Sequence, residues 1–452
     1  MSEALDLEAV ARRAVEAAAD AGADDADAYA ERTVEREIRV YDGGVESLTD
    51  AASRGVGVRA FVGGRWGHAY GTDLSDDGLR ELAAAAHEAA AVADVDEHAG
   101  LPDEPGSADV GDLRSPELVA WSTERKVEFA LEVERRARNH PRVTQVEQVV
   151  YADTDGEAAL ANSRGFAGSY AASAAWAYAS AFAGEGEDLM TGLGLGIGRG
   201  PEALDASAIG VEAGERAAAL AGARQPASRR CPVVFDAFVA ASFLGFIGGM
   251  LSADAVQRGR SLFAGREGEE IANPALRLAD DGTVPDGPST TPFDGEGSPR
   301  RRIPLLEDGR LVTYLFDART ARKAGRETTG SAVRSSYRTP PGVGTGNLVV
   351  EPGERSFEEL VRAAGDGLYV TDVVGLHSGV NPVSGTFSVG ATGRLIEGGE
   401  LGAPVREITI ASDLVTMLRS VEGVGSGARW VPFGGSVRAV PLLLGEMAVS
   451  GS

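Results

Sequence analysis

Five times along the chain an alternating apolar–polar run stops at an Asp-Gly or Gly-Gly pair: Asp42–Gly43, Gly63–Gly64, Asp155–Gly156, Asp308–Gly309 and Gly398–Gly399. Alternation puts successive side chains on opposite faces of a strand, and glycine accepts the positive φ of a two-residue hairpin turn. A chain written this way folds chiefly into antiparallel sheet. Helical spacing fills several gaps, at 4–22, 79–92, 115–139, 201–222, 238–251, 356–365 and 412–421, so the expected class is α+β.

Three units are expected, because 452 residues exceed one ordinary core. The first is a small N-terminal α/β domain, 1–97. It pairs an amphipathic helix with strands 55–61 and 66–70 and a helix capped by Asp73 or Ser75. A Pro-, Gly- and Asp-rich linker at 98–116 leads to a middle α/β domain, 115–225. That unit carries a helix opened by Ser115–Pro116, strands 143–152, 157–162 and 169–185, and the Gly-alternating run GLGLGIG at 192–198. After a boundary at 225–230 comes a larger, mostly antiparallel β C-terminal domain, 231–452. It opens with the apolar strand CPVVFD and an apolar helix holding Gly245, Gly248 and Gly249.

Charge narrows the partners. The chain has 68 acidic and 43 basic residues, a net charge of −25, and only Lys126 and Lys323 are lysines. Such a surface suits a halophilic cytoplasm, where net charge maintains solubility; arginine-for-lysine codon bias is the plainer alternative. Nucleic acid and anionic membranes are poor partners for it. The N-terminal segment lacks the basic and apolar regions of a signal peptide, and no run of about 18 apolar residues predicts a membrane span. A single cysteine, Cys231, excludes an intrachain disulfide and fits a reducing, cytoplasmic setting.

The chemistry-bearing residues are sparse. Of the five histidines, His68, His87, His98, His140 and His377, no two are one helical turn apart. His87–Glu88 begins an HExxH but no second histidine follows. Cys231 reads as a buried structural thiol. The most distinctive stretch is Gly375–Leu414, where a polar loop from His377 to Gly385 opens into a hairpin. Loops on rigid sheets carry function, which makes His377, Asn381 and Ser384 candidate ligand contacts. A Ser–His–acid triad assembled from distant segments stays open, although no GxSxG elbow is present.

Taken in order, RGVGVRAFVGGRWGHAYGTDLS (54–75), LANSRGF (160–166), CPVVFD (231–236), ADAVQRGRSLFAGREGEEIANP (253–274), FDGEGSPRRRIPLLEDGRLVTYLFD (293–317) and HSGVNPVSGTFSVGATGRLIEGGELGAPVREITIASDL (377–414) resemble the TldD/PmbA (TldD/TldE) family of metallopeptidases. In the TldD type, the resemblance implies an HExxxH helix just before the ADAV segment and a later cysteine that completes a zinc site. Here the two histidine positions fall on Leu244 and Gly249, the glutamate position on Gly245, and the cysteine position near Gly425. Zinc catalysis needs three fixed ligands and an open site for water. Leucine and glycine side chains have no lone pair to offer.

The resemblance therefore implies a PmbA/TldE-like, non-catalytic subunit. It would bind no cofactor, pair with a zinc-bearing TldD-type chain, and contact peptide through added-strand pairing and His377, Asn381 and Ser384. Two alternatives stand beside it: a stand-alone homodimeric peptide-binding or modulator protein, and a peptidase with unusual ligands that include His377.

Overall fold

The computed structural model describes residues 5–432 and 435–452. Ala4, the expected first helical residue, and Phe433–Gly434, beyond the expected cysteine position, lie outside the described residues. In the N-terminal half, helix α1 (Leu7–Asp20) precedes strands β1 (Asp25–Tyr41), β2 (Gly44–Val62) and β3 (Arg65–Gly71) and helix α2 (Asp76–Val92). Helices α3 (Pro116–Ala120) and α4 (Thr123–Arg138) lead to β4 (Val143–Asn162), β5 (Ala167–Ala183), β6 (Met190–Gly198) and α5 (Ala206–Leu220).

These strands form one six-stranded antiparallel sheet, in the order β3-β2-β1-β4-β5-β6. The stretches read as N-terminal and middle units are thus two halves of a continuous sheet, joined where β1 pairs with β4 from Asp27↔Asn162 to Val40↔Val149. Both helical pairs lie on one face: Ala26, Ala28 and Ala30 of β1 pack under α1 and α2, while Ile38 and Val40 pack under α4. Gly192 and Gly194 of the GLGLGIG run let α5 approach: a Cβ at Gly194 would stand 1.9 Å from the Ile209 carbonyl oxygen.

Four of the five turn pairs are hairpin turns with positive φ at both central residues: Asp42 and Gly43, Gly63 and Gly64, Asp308 and Gly309, Gly398 and Gly399. Asp155–Gly156 is not a turn. It lies inside β4, with Asp155 opposite Val34 and Ser173, because the residues on either side keep register with both neighbouring strands. The helix expected over 115–139 is broken at Trp121, where Ser122 caps a new helix by accepting from the Arg125 N–H. The strand expected over 310–316 is only two residues long, because Leu315 leaves the hairpin to bond with Leu251 and Ala253.

The C-terminal half runs β7 (Arg229–Phe235), α6 (Ala237–Met250), α7 (Ala253–Gln257), β8 (Leu278–Asp281), β9 (Arg302–Glu307), β10 (Arg310–Leu311), α8 (Ala318–Ala324), β11 (Ala332–Val333), β12 (Gly342–Val343) and β13 (Asn347–Val350). It continues with α9 (Phe357–Ala364), β14 (Gly367–Val374), α10 (Leu376–Gly379), β15 (Thr386–Glu397), β16 (Glu400–Asp413), α11 (Leu414–Arg419), β17 (Val421–Val424), β18 (Arg429–Val431), β19 (Ser436–Ala439) and β20 (Leu442–Ser450).

One sheet, β16-β15-β14-β7-β20-β17, closes on itself through β16 and β20; a second runs β10-β9-β8-β13-β19-β18. Helix α6 packs against strands of both, which explains why it is apolar nearly all round. Pairing is largely antiparallel; β7–β14 and β13–β19 are parallel. Among the described residues, no helix is long and apolar enough to cross a membrane.

A buried charge network joins the two halves. Arg59 of β2 donates to Asp27 of β1 and, at 2.9 Å, to Glu296, while Arg334 donates to the other oxygen of Asp27 at 2.9 Å. All four side chains are 8% exposed or less. The expected linker crosses this seam as well: the Gly106 N–H donates to Gly297 O and the Ala108 N–H to Pro292 O, both at 2.8 Å.

Candidate functional site

Helix α6 is the natural place to look for chemistry, because it lies at the centre of the C-terminal core. Asp236 starts it: one carboxylate oxygen accepts from the Phe238 N–H at 2.9 Å, and the other accepts from Arg216 at 3.1 Å and the Tyr369 hydroxyl at 2.5 Å. Burial beside Asp236 pushes the Tyr369 phenol well above its usual range. Arg216 and Arg429 both sit over the Phe238 ring, at 4.6 and 4.5 Å. This network borders a cavity of about 450 Å3 between α5 and the closed sheet, lined also by Thr191, Glu215, Asp372 and Arg394.

The polar groups of that cavity are largely engaged already. Arg216 also donates to Thr371 O, and Arg394 donates to Leu401 O and Gly402 O. The arrangement can hold a ligand but presents no nucleophile beside a base. Sequence reasoning did not single out Arg216, Tyr369 or Arg394, whose partners come from distant segments.

The positions aligned with the metal motif do not converge. Leu244 is 1% exposed, packed among Phe235, Met417 and Leu442. Gly245 is buried, whereas Gly249 is exposed, with nothing within 4 Å of where its Cβ would be. Residues five apart on an α-helix are about 140° apart around its axis, so the two positions face different ways. Gly425 is buried; a Cβ there would meet Pro441 O at 2.9 Å. Among the described residues, no group of three or more His, Cys, Asp and Glu could hold a metal ion. The donors present do not fit a zinc site.

The loop nominated for ligand contact packs beside α6. Helix α10 touches α6, and the Leu262 N–H donates to Pro382 O at 2.9 Å. His377, Asn381 and Ser384 are all exposed. The Asn381 side chain accepts from the Val383 and Ser384 N–H groups, and the Ser384 hydroxyl bonds that of Thr386 at 2.8 Å. These two side chains therefore shape the turn itself. Of the other histidines, His68 stands opposite Arg59 across β2 and β3. Burial, with Arg334 nearby, pushes its pKa down to about 4.

Comparison with known proteins gives the same architecture. Three family models match in order: PmbA/TldA metallopeptidase domain 1 over residues 26–90, the central domain over 116–221, and the C-terminal domain over 228–451. The metalloprotease PmbA of Escherichia coli O157:H7 is 27% identical over 95% of this chain and 92% of its own length. A metalloprotease of Methanothermobacter thermautotrophicus is 28% identical, with 87% and 86% covered.

Among solved structures, a Thermotoga maritima protein described as a modulator of a DNA gyrase aligns with a TM-score of 0.89 at 28% identity, covering 98% of this chain and all of that one. TldE from Thermococcus kodakarensis aligns with a TM-score of 0.91 over 97% of this chain and 99% of its own; at 22% identity that likeness concerns the fold.

Proposed function

This chain belongs to the PmbA/TldD metallopeptidase family, and from that premise we propose that it is the zinc-less, non-catalytic subunit of a cytoplasmic two-chain peptidase. A TldD-type chain supplies the zinc; this chain stabilises it and helps enclose its peptide. The observation that carries the reading is helix α6. Its motif positions are leucine and glycine, one buried in the core and another turned outward, so the helix acts as packing rather than as a ligand platform.

The exposed loop beside α6 is the peptide-facing surface in this reading. Asn381 and Ser384 hold its shape, which leaves His377 as the residue placed to contact substrate. Added-strand pairing is the natural mode for an unspecific peptide, since main-chain bonds give affinity without a sequence requirement. The test is co-expression with a TldD-type chain that carries HExxxH, followed by purification, metal analysis and a peptide-cleavage assay. Co-purification with zinc confined to the partner is expected. Replacing His377→Ala in the assembled complex should raise KM with little change in kcat.

A second reading, a stand-alone homodimeric modulator, draws on the description of the Thermotoga maritima relative. The net charge of −25 opposes direct contact with DNA. A homodimer that ignores every TldD-type chain offered to it would favour this second reading.

A further inference from the structure

Behind the charged seam lies a separate cleft of about 280 Å3, bordered by half-buried Ser289 and by Tyr29, Tyr170, Thr291, Asp294, Arg300 and Arg334. It combines residues of β1 and β5 with the loops that follow β8 and β11. Two arginines line it in unusual states. The Arg334 side chain is 1% exposed; its Nη2 donates to Asp27 and its Nε to Gly295 O, but its Nη1 has no partner among the described residues. Arg300 is 7% exposed and donates to Gly330 O, Ala332 O and the Thr291 hydroxyl. Among the described residues no carboxylate forms an ion pair with it.

Buried guanidinium groups with unspent N–H donors are costly unless an acceptor reaches them. The acid on the cleft wall does not serve. Asp294 spends its oxygens on the Glu296, Ser298 and Ala332 N–H groups. Asp280 lies behind Gly346, whose N–H it accepts at 2.8 Å, and burial pushes its pKa up to about 7. Asp27 pairs with Arg334, and Arg300 lies in the field of Asp294 and Asp280 without a direct ion pair, so the donor left open to an anionic ligand is Arg334 Nη1. A planar guanidinium fork matches the two oxygens of a carboxylate. The Tyr29 and Tyr170 hydroxyls, bonded to each other, add polar groups to the wall.

The geometry points to a binding site for a carboxylate group in this cleft, carried by a small organic acid or by the C-terminus of a short peptide. The site is independent of any zinc-bearing partner. Calorimetric titration of the full chain, at fixed chloride, tests it with four probes: propionate, N-acetyl-Ala-Ala with a free carboxylate, the same dipeptide as its amide, and inorganic phosphate. The free dipeptide should bind at least about tenfold more tightly than its amide and than phosphate. Propionate binding as tightly as the dipeptide identifies a small acid as the source; tighter dipeptide binding identifies a peptide end.

Arg300→Gln should abolish binding. If that variant fails to fold, Ser289→Trp, which puts a large side chain on the half-buried cleft wall and removes no member of the charge network, should abolish it with the melting temperature retained. Equal affinity for acid and amide, tighter phosphate binding, no binding of either acid by the unaltered chain, or unchanged binding by a folded Ser289→Trp chain would each overturn the assignment.

Discussion

Helix α6 and the seam between the two halves are both buried, but by different means. Helix α6 is apolar: Phe238, Phe243, Leu244 and Ile247 fill the space between two sheets, and only its first turn carries a charge network. The seam buries Asp27, Arg59, Glu296 and Arg334 with their charges matched to one another. The chain thus concentrates buried charge where the N-terminal sheet meets the C-terminal loops, and removes it from the helix where relatives of the TldD type are expected to keep a metal. Buried ion pairs seldom add net stability, but losing one partner is expensive, so the seam fixes how the halves meet.

The contrast can be broken by substitution. The largest effect is expected at the seam: Asp27→Ala removes the carboxylate that Arg334 pairs with and should cost about 3–5 kcal/mol in urea denaturation. On the helix, Leu244→Ala opens an apolar cavity and should cost about 2–5 kcal/mol with no change in metal content. A cost near zero would mean that α6 is not the packing element described.

Neighbouring glycines on α6 then separate its two faces. At Gly248 a Cβ would stand 2.5 Å from Leu348 Cδ1, so Gly248→Ala should cost about 1–3 kcal/mol. Gly249 faces open space, and Gly249→Ala should stabilise the chain by up to about 1 kcal/mol through helix propensity. Equal effects at the two positions would contradict the placement of Gly249 on the outer face.

The smallest effect is in pH dependence. The His68 pKa falls to about 4 in the folded chain from about 6.5 when unfolded. Between those values the unfolded chain binds the extra proton, so this residue makes stability fall as pH drops from 6.5 towards 4. Buried Glu296 and Asp280, whose pKa values are raised, act in the opposite direction. The difference between the unaltered chain and His68→Gln, followed by melting temperature from pH 7 to 5, isolates the histidine; the variant should lose less stability on acidification. Parallel curves would mean that His68 contributes nothing to the pH dependence.

Hairpin turns were legible because two residues of positive φ leave a local signature, and four Asp-Gly or Gly-Gly pairs are such turns. Asp155–Gly156 has the same signature, yet sheet register on both flanks carries the strand straight through it. Helix α6 was legible from its unbroken apolar run. The seam was visible only as charged residues, Asp27 and Arg59, interrupting alanine and valine strands; their partners Glu296 and Arg334 lie more than 230 positions away from Arg59. The continuity of the first sheet was hidden for the same reason, since β1 and β4 are separated by the whole of α2, α3 and α4.

On the proposed function, this chain holds no catalytic zinc and lends its fold to a chain that does. The most direct measurement is the zinc stoichiometry and peptide-cleaving activity of the purified chain, alone and after co-expression with a TldD-type partner. Neither zinc nor cleavage is expected from the chain alone, and both are expected from the complex, with one zinc per partner chain. Stoichiometric zinc together with peptide cleavage by the isolated chain would contradict the proposed function.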